Sequence, residues 1–269
     1  MMQLGIVTYN IAQDWDLPTI LARLDALKYE GVELRTGHKH GVEVALTPAQ
    51  RQDVRKRFDD SPIELAGLGS AFEYHSADPA EVRRNVEGTK AYIRLAHDVG
   101  SPGVKVRPNG VPRGADPEAT YARIGAALRE VGKDAADFGV EVRVEVHGAV
   151  TQEVPNLARI IAAADHPNVS VCWNSNPTDV AKDGTIAENF RLLAPKIREV
   201  HLRDLTDEAY PWRELFALLA ARGYTGYTLA EIPASPDPDR VLRYFRALWL
   251  ADQPDYDKLD ADQKRRTTR

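Results

Sequence analysis

Eight short apolar, β-branched runs recur along this chain, and a stretch with helical spacing follows each of them. The runs fall at residues 4–8, 31–34, 63–68, 103–106, 140–146, 169–172, 197–202 and 227–232. The intervening stretches, such as LPTILARLDALKYEG and DPEATYARIGAALREVGKDAADFG, place apolar residues three or four apart. Several open on Thr or Asp followed by Pro and several close on Gly, as capped helices do. Strands that alternate with helices make a parallel sheet, and eight such units in 269 residues predict a closed (β/α)8 TIM barrel. A doubly wound sheet is disfavoured. The turn after its first strand would carry G-x-G-x-x-G, whereas that turn reads TYNIAQDW here and GLGSAF at 67–72 lacks the third glycine. A single barrel domain over residues 1–252 is expected, followed by a polar tail at 253–269.

With 43% hydrophobic and 28% charged residues the composition is that of a soluble globular protein, and the net charge of −5 argues against a nucleic-acid or anionic-membrane surface. The one cysteine, Cys172, excludes an intramolecular disulfide, and MMQLGIVTYN lacks the basic and long apolar parts of a signal peptide. A cytoplasmic protein without a membrane span and with a small-molecule partner is the expectation. A homo-oligomer is compatible with the sequence.

One of the buried runs carries an anomaly, VRVEVHG, where Glu145 and His147 stand in a strand that otherwise reads as apolar. An unpaired carboxylate there costs several kcal/mol, so something must compensate it. Catalytic groups of such barrels sit at the C-terminal ends of the strands. There the fifth run ends in Glu145 and His147, the sixth in Asn174, the seventh in His201 and the eighth in Glu231. The separations from Glu145 to Asn174, His201 and Glu231 are 29, 27 and 30 residues in turn, one βα unit each, so the four positions converge at one end of the barrel. Taken singly, each is as well explained by capping. Together, two carboxylates, an imidazole and an amide oxygen suit one divalent ion, Mn²⁺, Mg²⁺, Co²⁺ or Zn²⁺, and such an ion would offset Glu145.

With Glu145, Asn174, the HLRD stretch containing His201, and Glu231, the chain resembles the xylose-isomerase-like barrels, the sugar phosphate isomerases and epimerases that include ketose 3-epimerases and inosose dehydratases. The resemblance runs from Leu4 to about Trp249. It implies Glu, Asp, His and Glu on strands five to eight holding one metal ion. It also implies that the glutamates act as acid and base. Two positions depart from it. Asn174 stands where Asp is expected, and Arg203 where Lys is usual.

The chemistry expected of such a site is proton removal next to the carbonyl of a keto-sugar, giving an ene-diolate. Glu145 and Glu231 would address opposite faces of the carbon, one removing the proton and the other returning it, which is isomerisation or epimerisation. Elimination from the same carbanion, as in a dehydratase or lyase acting on an inosose or 3-keto-glycoside, is the alternative, with His147 or His75 as the acid. A non-catalytic sugar-binding relic is a third reading, motivated by Asn174, and a multi-zinc abasic-site endonuclease is disfavoured by the acidic balance. Further substrate-binding candidates are Arg107 and Asn109 after the fourth run, Glu73 and His75 after the third, and Arg203. Asp204 is expected to orient a neighbour. Trp173 and Trp212 are candidates for stacking on a sugar, with core filling the default. No glycine-rich phosphate loop follows the last two runs, which favours a neutral sugar.

Overall fold

The computed structural model describes residues 2–254. Strands β1 (Gln3–Val7), β2 (Gly31–Arg35), β3 (Glu64–Glu73), β4 (Gly103–Arg107), β5 (Glu141–Glu145), β6 (Val169–Trp173), β7 (Ile197–Leu202) and β8 (Tyr227–Ala230) form one sheet. Helices α1 (Leu17–Leu27), α2 (Pro48–Asp59), α3 (Pro79–Val99), α4 (Pro117–Asp137), α5 (Val154–Ala164), α6 (Ala187–Leu193), α7 (Trp212–Ala221) and α8 (Pro238–Ala251) follow the strands in turn. Each strand pairs in parallel with the next, and β8 returns to β1 with Leu229 opposite Gly5, so the sheet closes as the expected (β/α)8 barrel. From residue 255 onward the polar tail lies outside the described residues.

Local chemistry explains the helix starts. Asp16, Thr47, Asp78, Asp116 and Asp237 each accept a backbone N–H of the first helical turn, and a proline occupies one of the first two helical positions in all five cases. Those N–H groups would otherwise lack partners, and proline gives up none that the helix needs. Gly100, with φ at 84°, ends α3 in the left-handed conformation that glycine adopts without strain. α4 buries Ile124, Leu128, Val131 and Ala135 along one stripe. Each large buried aliphatic of this kind stabilises by roughly 1.5–3 kcal/mol.

The main apolar core is the shell between strands and helices, where Val104, Val106, Val142, Val144, Val169 and Val171 are buried. Inside the barrel the side chains are of another kind. Glu33, Lys105, Arg143, Glu145, Glu199 and His201 alternate with those valines and leucines and are buried as well. Contacts between non-neighbouring strands place them in the lumen, since Arg143 Nη1 of β5 meets Glu199 Oε1 of β7 at 2.7 Å and His201 Nε2 of β7 meets Glu33 Oε2 of β2 at 3.2 Å. Glycines make the room. A Cβ on Gly69 of β3 would overlap the Glu33 carboxylate, and one on Gly103 of β4 would stand 2.5 Å from Arg143 Nε.

β3 runs to Glu73, five residues beyond the apolar run at 63–68, with a register break against β4 between Gly69 and Glu73. Backbone pairing of Glu73 with Arg107 carries this extension, and no side-chain periodicity announces it. Gly69→Ala is expected to cost about 2 kcal/mol, because the added methyl overpacks a charged lumen that cannot yield. Urea unfolding measures it, and a cost below about 0.5 kcal/mol would contradict this packing.

Candidate active site

At the C-terminal mouth of the barrel lies a cavity of about 430 Å³. Glu145, His147, Asn174, Arg203, Asp204 and Glu231 line it, together with Tyr9, Asn10, Gln152 and Asn176 from three loops. Its size is that of an ordinary small-molecule site.

Glu145 is held on both oxygens. Its Oε2 accepts from Lys105 Nζ at 2.5 Å and its Oε1 from Asn174 Nδ2 at 3.1 Å, and Lys105 and Glu145 are each only 3% exposed. The compensation that the sequence demanded for Glu145 is therefore present in the chain itself, as an ammonium from the neighbouring strand, and is not left to a metal ion alone. Burial works to raise the Glu145 carboxyl, but Lys105, His201 and His147 outweigh it and hold the group below its usual value. Burial likewise opposes the Lys105 ammonium, and Glu145, Glu33 and Glu231 hold it above the usual lysine range.

Two buried side-chain atoms lack a hydrogen-bond partner, Asn174 Oδ1 and His201 Nδ1. Their orientation follows from their neighbours. A carboxylate only accepts, so the amide nitrogen of Asn174 must face Glu145, which turns Oδ1 away from it. Glu33 fixes the imidazole in the same manner from the other side, leaving Nδ1 3.6 Å from Glu231 Oε2. Burial pushes Glu33 up, yet His201 and Lys105 bring it down to about 2, so it stays ionised beneath the imidazole. Donor atoms of Glu145, His201 and Glu231 lie within 4.8 Å of one another. Two unpartnered side-chain atoms beside two carboxylates fit a divalent ion, and a carboxylate behind the imidazole is the arrangement that orients metal-binding histidines.

The loop after β6 is anchored from below. Asp179 Oδ2 accepts from Asn176 N at 2.7 Å and from Tyr210 Oη at 3.1 Å, and Trp173 Nε1 donates to Tyr210 Oη at 2.9 Å. Ser175 Oγ donates to the His201 carbonyl at 2.8 Å, which ties this loop to β7. Trp173 and Trp212 are both buried, so core filling is their role and neither presents a face to the cavity.

Four expected residues form a network one step behind the wall. Glu73 joins Arg107 Nη2 at 3.2 Å, His75 Nδ1 at 3.4 Å and Asn109 Nδ2, and Asn109 Oδ1 meets His147 Nδ1 at 3.0 Å. Arg107, Asn109, Glu73 and His75 thus reach the cavity only through His147. Asn109 has φ at 60°, a conformation that asparagine tolerates. Asp204 accepts from Thr206 N and Oγ1 and shapes its own turn, while Arg203 makes no hydrogen bond or ion pair among the described residues. Lys105 and Glu33 were not singled out from the sequence. The available signal was the one that marked Glu145, a charge inside a valine-rich strand, in GVKVR and GVELR.

The family described as xylose isomerase-like TIM barrels matches residues 21–251, and the chain belongs to it. No curated protein sequence matches it significantly. Among solved structures it is similar to an L-ribulose 3-epimerase, at 18% identity and a TM-score of 0.81 over 96% of each chain. It also resembles the IOLI protein with a bound zinc atom, at 15% identity and a TM-score of 0.78 over 95% of this chain and 99% of that one. The 3-keto-D-glucoside 4-epimerase of E. coli superposes with a TM-score of 0.75 at 14% identity, over 93% of this chain and 99% of that one. At these identities the likeness establishes the fold. No helix among the described residues is long and apolar enough to cross a membrane.

Two outcomes follow from this geometry. Burial raises the Asp179 carboxyl to about 7, against the hydrogen bonds from Asn176 and Tyr210 that lower it. Between that value and about 4, its unfolded value, the group is protonated in the fold and ionised in the unfolded chain. Its contribution to stability is therefore present at acidic pH and lost as pH rises through 7. Asp179→Asn should remove up to about 1.4 kcal/mol per pH unit of that decline, read as urea unfolding from pH 5 to 8. An identical pH slope in the variant would contradict the assignment. Asn174→Asp replaces the donor to Glu145 with a second carboxylate whose repulsion a cation relieves, so Mn²⁺ binding should tighten at least about tenfold by calorimetry. Equal or weaker binding would remove residue 174 from the ligand set.

Proposed function

We propose that this protein is a divalent-metal-dependent sugar isomerase or epimerase that moves a proton on the carbon next to a carbonyl of a keto-sugar. The observation that carries the proposal is the pair of carboxylates, Glu145 and Glu231, clustered with His201 at the mouth of the barrel, where Asn174 Oδ1 and His201 Nδ1 lack hydrogen-bond partners. Glu145, Asn174, His201 and Glu231 would hold the ion. Bound there, a divalent ion polarises adjacent carbonyl and hydroxyl oxygens of a ketose and so acidifies the C–H between them.

The two glutamates are not equivalent. The Glu231 side chain is 19% exposed, and among the described residues His201 is its one ion-pair partner. It is the carboxylate free to approach a substrate carbon and take its proton. Glu145 reaches the cavity from β5, three strands away, and its Oε2 shares a hydrogen with Lys105 Nζ. With Glu145 ionised, the proton returned to the opposite face is passed on from the Lys105 ammonium hydrogen-bonded to it, and the ene-diolate in between carries the charge that the pocket offsets. Asn10, Gln152, Asn176 and Arg203 provide polar groups for the remaining hydroxyls.

His147 supports elimination as a second reading. Asn109 meets its Nδ1 while the ring lines the cavity, and a protonated ring would supply the acid for a leaving group on the next carbon. Incubation with Mn²⁺ and a panel of ketoses, inososes and 3-keto-glycosides in D₂O tests both readings. Solvent deuterium at a carbon next to the carbonyl is the expected result, with an epimer as the product for the first reading and a dehydrated sugar for the second. Glu231→Gln should cut this exchange at least about a hundredfold, since an amide takes no proton. Exchange within tenfold of the unaltered protein would sink Glu231 as the base.

A further inference from the structure

We propose that Lys105 is a resident counter-cation that sets how tightly the site holds its divalent ion, making it a weak, readily exchanging metal site. The proposal rests on the reading of Glu145, Asn174, His201 and Glu231 as ligands, and goes beyond it by naming a residue that works against the ion.

Lys105 is the only lysine among the buried charged groups of the described residues, and Nζ stands 2.5 Å from Glu145 Oε2. One carboxylate would thus serve two cations, the ammonium on Oε2 and the incoming divalent ion. Glu231 and Glu33 also act on the ammonium, so its charge is felt across the donor set. The Glu33 charge is already engaged by His201. Two ligand carboxylates and one ammonium leave a single net negative charge to receive a divalent ion, and Asn174 adds none. Neutral residue 105 with Asp at 174 would leave three. Like charges close together in a poorly solvated lumen repel strongly, so the ammonium must lower the affinity of the site for any cation.

The bland reading is that Lys105 only neutralises Glu145 so that the barrel folds. The two readings diverge in the metal affinity of variants. Lys105→Gln retains an N–H donor for Glu145 and loses the charge, Lys105→Met loses both, and Lys105→Arg keeps the charge. Calorimetric titration with Mn²⁺ alone is expected to show at least about tenfold tighter binding for the Gln and Met variants. The Arg variant should stay within about threefold of the unaltered protein. A neutral variant that is unfolded as isolated should refold when millimolar Mn²⁺ is added, because the ion then balances Glu145.

Equal or weaker Mn²⁺ binding in the neutral variants, or failure of an unfolded one to refold with Mn²⁺, overturns the proposal while leaving the ligand assignment standing. Absence of Mn²⁺ binding in the unaltered protein and in every variant brings down the ligand assignment, and the proposal with it.

Discussion

The ion pair between Lys105 and Glu145 is the constraint around which the interior of this barrel is arranged. Placing a carboxylate inside a closed sheet is costly unless a cation and hydrogen bonds surround it, and here an ammonium and an amide meet both oxygens. The same requirement spreads outward. Arg143 needs Glu199, His201 needs Glu33, and the three pairs occupy a lumen that many barrels fill with aliphatic side chains. Gly67, Gly69 and Gly103 leave the space that these long side chains take up. Removing one partner strands the other, so the pairs act together as a scaffold beneath the cavity.

From that scaffold the chemistry at the mouth follows. Because Glu145 takes the amide nitrogen of Asn174 and Glu33 takes one ring nitrogen of His201, the amide oxygen of Asn174 and the Nδ1 of His201 are left without a hydrogen-bond partner. Glu231 completes the group from a strand end where it is partly open to solvent. The charges that make the site tolerable in the folded chain thus also orient Asn174 and His201, and on the function proposed above they leave Glu231 free for proton transfer. The C-terminal ends of the strands, where these groups stand, are where parallel (β/α)8 barrels carry their functional side chains.

Much of this was legible in the sequence, for identifiable reasons. Short apolar, β-branched runs and stretches of period 3.6, with Asp-Pro and Thr-Pro helix starts, set out all eight units, because the strands of a parallel sheet are covered by helices that turn an apolar stripe towards them. Glu145, Asn174, His201 and Glu231 could be aligned because barrel geometry repeats once per unit. The partners inside the lumen were harder. Lys105 and Glu33 interrupt valine-rich strands just as Glu145 does, yet spacing along a strand does not say which groups meet across a closed sheet. Tyr9, Asn10, Gln152 and Asn176 come from loops without a pattern. The pairing of Glu73 with Arg107 depends on an irregular extension of β3 that small residues in GLGSAF conceal.

Anomalous diffraction from crystals soaked in Mn²⁺ tests the central claim most directly, since it locates the ion without reference to turnover. The expected result is one strong peak about 2.0–2.5 Å from His201 Nδ1, Asn174 Oδ1 and a carboxylate oxygen of both Glu145 and Glu231. A peak instead among Cys172, Glu199 and His201, the other buried cluster of metal-type ligands, or no peak at the mouth of the barrel, would contradict it.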